Sequence, residues 1–166
     1  MPEPRIRRAR VEELAEIGAL TVRAYEAHGY FAAGELSSYA DVLADARARH
    51  EDAELLVAVD SADRPIGTVT MARPGTRFSE VGAPDELEFR MLAVDPRARG
   101  RGVGTALIRG VLDRARELGL VRVVLCSQKR MTGLHRIYTD LGFRRLPDRD
   151  WAPVPGVDLI AFGVDL

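Results

Sequence analysis

Staples, tethers and long-range fields are scarce in this 166-residue chain. Its one cysteine, Cys126, rules out an internal disulfide framework, and no Cys/His cluster has zinc-ligand spacing, so no structural metal is expected. No stretch approaches the ~20 apolar residues that cross a bilayer. The four arginines between Met1 and Arg10 lead into no apolar run, which argues against a secretory leader and for a cytoplasmic protein. With 24 basic and 25 acidic side chains the net charge is -1, so no global field draws the chain to nucleic acid or an anionic membrane. Any anion site must therefore be local. There is no low-complexity tract, internal repeat or linker. What is present, 46% apolar and 30% charged residues, describes an ordinary globule. A chain this long removes roughly two-thirds of its unfolded surface from water, and one domain over residues 1–166 is the expectation.

Periodicity orders the elements. A short first strand falls at Arg5–Ala9, and Leu14, Ile17, Thr21 and Tyr25 recur at helical spacing up to Gly29. An aromatic loop, Gly29-Tyr30-Phe31, precedes a second helix capped by Ser37 or Ser38 and running through Val42, Leu43 and Ala46. Glu54–Val59 and Ile66–Met71 form a hairpin across a turn rich in Asp, Ser and Pro. After a Gly- and Pro-containing loop at 73–84, Leu87–Val94 reads as a strand stopped by Asp95-Pro96. Val103, Leu107, Val111, Leu112, Ala115 and Leu118 then make the clearest helical stripe, ended by Gly119. A strand at Val121–Cys126, a short helix at Thr132–Leu141, a strand near Phe143–Leu146, a Pro-rich loop at 147–156 and a strand at Leu159–Val164 complete the order β-α-α-β-β-β-α-β-α-β-β.

Arg99-Gly-Arg-Gly-Val-Gly104 joins a strand to the strongest helix without a conventional N-cap side chain. Free amides, glycines that admit close approach and the positive end of the helix dipole make a phosphate or pyrophosphate the natural partner, with Arg97, Arg99 and Arg101 nearby. No lysine precedes Gly104-Thr105 as a P-loop requires. A dinucleotide fingerprint fails as well, because Leu107 stands where its third glycine belongs and the next strand ends in Ser127-Gln128, without an acid. A tight loop with no ligand is the plain alternative.

These residues resemble the GNAT superfamily of acetyl-CoA-dependent N-acetyltransferases. "MLAVDPRARGRGVGTALI" is similar to its central motif, through Arg99, Gly102 and Gly104, and "LHRIYTDLGFRRL" to its second, a short helix with a tyrosine before Leu-Gly-Phe. The element order fits nearly the whole chain, the first fifty residues in pattern only. The resemblance implies an α/β (α+β) fold: a single mixed sheet of about six to seven strands, two central strands splayed, and about four helices on its two faces. It implies that the pantetheine arm of acetyl-CoA bonds the backbone of Leu92, Ala93 and Val94. The pyrophosphate would rest on the amides of Arg99, Gly100, Arg101, Gly102, Val103, Gly104 and Thr105. It further implies direct acetyl transfer to a primary amine, small-molecule or peptide, without a covalent enzyme intermediate or a metal. Many relatives pair through carboxyl-terminal strands, so a homodimer is left open.

Attack of an amine on a thioester needs a base, an oxyanion donor and a proton for the thiolate. Tyr138 matches the motif tyrosine and would serve the thiolate, although Leu134, Ile137, Tyr138 and Leu141 also share an apolar helix face. Glu88 holds a position where some members keep a carboxylate base, with pairing to Arg90 as the bland alternative and Glu86 as the fallback. The oxyanion donor would be a backbone amide near Leu92. Cys126, at the end of an apolar strand with no histidine beside it, reads as an inert thiol; His135, one turn before Tyr138, is a further candidate base, although it, like His28 and His50, is more often a surface residue. Where relatives place an asparagine after this strand, the chain has Ser127-Gln128-Lys129-Arg130. The resemblance implies an acceptor pocket from the first two helices, their connecting loop and the last hairpin, here with Tyr25, Tyr30, Phe31, Tyr39 and Trp151 and with Glu26 and Glu35 as anchors, core packing being the alternative for the aromatics. Two other classes remain beside this reading: a non-catalytic acyl-CoA-binding module, which needs the Gly-rich turn but not Tyr138, and the disfavoured pyridine-dinucleotide enzyme.

Overall fold

The computed structural model describes residues 2–30 and 36–166. Strands β1 (Arg5–Arg8), β2 (Glu54–Val59), β3 (Pro65–Ala72), β4 (Glu86–Val94), β5 (Arg122–Gln128), β6 (Arg144–Arg145), β7 (Trp151–Val154) and β8 (Val157–Asp165) form one sheet in the order β1-β2-β3-β4-β5-β8-β6, with β7 paired to β8. Among the described residues only the β4–β5 pairing is parallel. The helices are α1 (Leu14–Ala27), α2 (Leu36–Ala44), α3 (Ala46–Asp52), α4 (Val103–Glu117) and α5 (Thr132–Asp140).

Alternation in β2 shows how both faces of the sheet are covered. Leu55, Val57 and Val59 meet Leu14, Ile17 and Ala46 on the side of α1 and α3. Leu56 and Ala58 join Leu107, Val111 and Ala115 of α4 on the other side. Strands buried on both faces read as the near-continuous apolar runs seen in the sequence.

The expected elements are present, with three corrections. The helix predicted through Ala46 is two helices, broken at Asp45, whose side chain accepts the Ala48 amide at 3.0 Å and so caps α3. Ser37 and Ser38 lie inside α2 rather than capping it. The Pro-rich loop at 147–156 contains an eighth strand, β7, which Pro153 can enter because β7 pairs on one side only.

The α2–α3 junction rests directly on α1. A Cβ at Gly18 would overlap the backbone carbonyl oxygen of Ala44. The buried Arg49 guanidinium donates to the carbonyls of Val42 at 2.9 Å and Asp45 at 3.4 Å, closing the end of α2. Gly18→Ala is therefore expected to lower stability by about 1–3 kcal/mol, read as a lower urea midpoint at unchanged slope.

Candidate active site

Strands β4 and β5 are in register only from Glu86 to Glu88 against Arg122 to Val124. Beyond that point β4 runs on with β3 to Val94, and β5 with β8 to Gln128, so the two part company. A bulge in β4 accentuates the split. Thr70 pairs with Arg90 and Thr68 with Ala93, leaving one extra residue on β4, and Met91 takes a left-handed φ of 54°. The backbone of Leu92, Ala93 and Val94 borders the resulting gap.

The gap opens toward the first turn of α4. Gly102 precedes that turn with φ 73° and offers no side-chain cap, so the amides of Val103, Gly104 and Thr105 face outward. At Gly100 and Gly102 an added Cβ would meet no protein atom, and the left-handed backbone is what requires glycine. The free amides and the open space above them form a cradle that suits an anion. A cavity of about 310 Å³ runs from this cradle along Leu92, Ala93 and Val94. Arg99 lines it, whereas Arg101 lies on the adjoining cleft with Arg97.

Arg97 is not the mobile charge expected from the sequence. Asp95, just after β4, accepts its backbone amide at 2.9 Å and its guanidinium at 3.1 and 2.9 Å, and takes a further bond from Arg23 at 3.2 Å. The Arg97 hydrogen bonds hold the Asp95 carboxyl far below its usual range against the opposing effect of burial. This knot fixes the 3₁₀ turn Pro96–Ala98 and hence the Gly-rich loop behind it.

At the inner end of the gap a smaller cavity of about 70 Å³ brings together Glu88, Leu92 and Tyr138 with Tyr25, Tyr39 and Glu80. Tyr138 is the one buried residue of α5 and sits among Phe89, Phe143 and Phe162, with ring centroids 5.9, 6.0 and 5.6 Å away. Burial pushes its phenol well up, so it is a neutral donor. Among the described residues its hydroxyl has no hydrogen-bond partner. Helix α5 is tied to β5 by His135 Nε2, 3.0 Å from Ser127 Oγ. His135, expected at the surface, thus has a structural partner.

Glu88 is 1% exposed. Its Oε1 accepts the amides of Glu80, Val81 and Gly82 at 2.9, 2.8 and 3.0 Å, while Oε2 is buried without a partner. The expected alternative, a pair with Arg90, does not form, because Arg90 joins Glu80 at 2.9 Å. Glu86, the fallback base, is engaged by Arg149 and Arg122. Burial foremost, then the negative charge of Glu88, pushes the Cys126 thiol up to about 12, which agrees with an inert thiol.

The acceptor-side residues divide. Tyr39 borders both the inner cavity and a groove of about 340 Å³ between α2 and the β7–β8 hairpin. Tyr30 faces the α4 cavity instead, stacked on His28 at 4.7 Å, and its carbonyl accepts Gln128 Nε2 at 3.2 Å and Arg130 Nη2 at 2.5 Å. The stretch that replaces the asparagine therefore ties β5 to the end of α1. Glu26 is exposed, and Trp151 lies on the hairpin, 37% exposed. Phe31 and Glu35 fall outside the described residues. His28, expected at the surface, and Tyr30, expected in the acceptor pocket, both line the α4 cavity instead.

A sheet opened between parallel neighbours, with uncapped helix amides at the mouth of the opening, has a shape and chemistry that suit an anionic ligand. The sequence profile of the Acetyltransferase (GNAT) family matches residues 16–143, and the chain belongs to that family of acyltransferases. Over 73 residues it is 36% identical to the N-acetylaspartate synthetase of Rattus norvegicus, a match covering 44% of this chain and 24% of the synthetase. It is 44% identical over 63 residues to the mycothiol acetyltransferase of Sanguibacter keddieii, covering 38% and 20% of the two. The matches thus span about a quarter or less of those relatives' lengths. In fold it is similar to the PaiA N-acetyltransferase of Thermoplasma acidophilum in complex with coenzyme A, with TM-score 0.75 and 14% identity over 99% of this chain and 100% of that one. No helix among the described residues is long and apolar enough to cross a membrane.

Asp95 gives this site a pH signature. A carboxyl whose folded pKa is depressed stabilises the fold above its unfolded pKa of ~3.9 and loses that contribution as pH falls toward the folded value. Asp95→Asn is expected to cost about 2 kcal/mol at pH 7, with the deficit shrinking below pH ~4, as urea titrations at pH 7 and pH 3 will show.

Proposed function

We propose that this protein transfers the acetyl group of acetyl-CoA to a primary amine by direct attack in a ternary complex. The observation that carries the reading is the alignment of the uncapped α4 terminus with the gap between β4 and β5. One cavity borders both, and its uncapped helix amides and strand backbone have the chemistry for a pyrophosphate followed by a pantetheine arm. The amides from Arg99 to Thr105 hold the diphosphate, with Arg99 adding charge. Arg101, facing the neighbouring cleft, contributes through its backbone. Leu92, Ala93 and Val94 supply strand-like hydrogen bonds to the arm, and the bulge at Met91 turns the Leu92 amide toward the thioester carbonyl as its oxyanion donor.

Glu88 Oε2 takes the proton of the incoming ammonium, directly or through water. The three loop amides on Oε1 fix the orientation of the carboxylate. Tyr138, with an unpartnered hydroxyl in the same cavity, gives a proton to the departing thiolate. Its aromatic surroundings hold the ring still. In this reading the chain is a single catalytic domain that needs no metal. The free, protonated Cys126 is in keeping with a cytoplasmic setting.

Three substitutions separate these roles. Gly102→Val, which forces a branched residue into a left-handed turn beside the diphosphate, should weaken acetyl-CoA binding by at least about tenfold in calorimetry; unchanged affinity would remove the loop from the site. Tyr138→Phe should lower kcat by about a hundredfold with acetyl-CoA affinity intact. Glu88→Gln keeps an acceptor for the loop amides, so stability should hold while kcat falls at neutral pH. A Gln variant as active as the parent would leave Glu88 a loop tether only.

A further inference from the structure

We propose that the acceptor is a primary amine carried on an apolar alkyl or arylalkyl body, with no carboxylate next to the nitrogen. This rests on the acetyltransferase reading and adds the chemistry of its second substrate. The wall of the inner cavity holds two carboxylates, Glu80 and Glu88, against one guanidinium, Arg90. Arg90 is already engaged, by Glu80 at 2.9 Å and by the Phe78 carbonyl at 3.2 Å. Arg49, the other guanidinium in the neighbourhood, donates through Nη1 to the carbonyls that end α2, keeps Nε and Nη2 buried without partners, and is not part of the cavity wall. Among the described residues the cavity wall is therefore one cation short, and the shortage is localised. Glu88 Oε2 is buried and lacks a donor, in a residue 99% removed from solvent. An ammonium supplies both the missing charge and the missing N–H.

The rest of the acceptor has to lie in the groove that continues from this cavity, since the two share Tyr39, Glu80, Arg90, Gln128 and Leu159. Its outer walls are Val42 of α2 and Pro153, Val154 and Val157 of the hairpin. Val42 and Val154 are 44% and 47% exposed, large apolar side chains left bare on facing elements. A groove of about 340 Å³ walled in this way fits a hydrocarbon body at the lower end of the small-ligand range. An α-amino acid would place its carboxylate two bonds from the nitrogen and so against Glu88 and Glu80, where like charges repel in a partly desolvated space. N-acetylaspartate, the product in the name of the matched synthetases, carries two carboxylates, and this wall offers neither of them a free cation.

The test compares 2-phenylethylamine with phenylalanine, which differ only in the carboxylate, and includes aspartate, by thiol release at fixed acetyl-CoA. A kcat/KM at least tenfold higher for 2-phenylethylamine is expected. Glu80→Gln frees Arg90 and should narrow that preference at least threefold. Val154→Asp, on an exposed edge strand, should lower kcat/KM for 2-phenylethylamine without changing acetyl-CoA affinity. Equal or better turnover of phenylalanine or aspartate, a preference unmoved in Glu80→Gln, or acetyl-CoA binding with none of these amines acetylated would each overturn the assignment. Acetyl-CoA affinity measured by calorimetry keeps the two levels apart. Its absence strikes the acetyltransferase reading, whereas its presence with the wrong preference strikes only the acceptor class.

Discussion

The parallel pairing of β4 with β5 stops after Glu88 and Val124, and that interruption opens the cavity onto which the first turn of α4 faces. Backbone donors and acceptors in a sheet are normally satisfied by a neighbouring strand, and a buried one left alone is costly. Here the second neighbour of β4 is missing over its carboxyl-terminal half, on the side where α4 begins. The fold thus presents unpaired strand edge and unpaired helix amides within a single cavity. A ligand that is anionic at one end and amide-bearing along its length satisfies both at once.

Holding such a gap open requires restraint from its borders, and charged side chains provide it. Asp95 knots the exit of β4 to Arg97 and Arg23, so the Gly-rich loop leaves the strand in a fixed direction. Gln128 and Arg130 fasten the end of β5 to the Tyr30 carbonyl, and Ser127 fastens it to α5 through His135. Glu88 sits at the fork itself. One of its oxygens gathers the loop at Glu80–Gly82, while the other is buried beside the cavity without a donor.

Much of this was legible from residues alone, where the signal is local. The α4 stripe, the glycines at 100 and 102 and the missing N-cap depend on neighbours one to four positions apart, and each appears where expected. Tyr138 and the Leu-Gly-Phe turn after it are likewise a single short segment. The misplaced details involve competition between distant groups. Arg97 looked free until Asp95 and Arg23 met it, and Arg90 looked like the partner of Glu88 until Glu80 arrived from the preceding loop. The strand β7 hides in a Pro-rich stretch because what makes it a strand is the backbone of β8 beside it.

The sequence by itself determined the family, the order of elements and the anion cradle, because propensity, periodicity and backbone freedom are properties of contiguous residues. Only the tertiary structure decided which carboxylate oxygen stays without a donor, which arginines are free and what lines the acceptor groove. Those outcomes follow from side chains far apart in the chain competing for the same few hydrogen bonds in a space that water cannot reach.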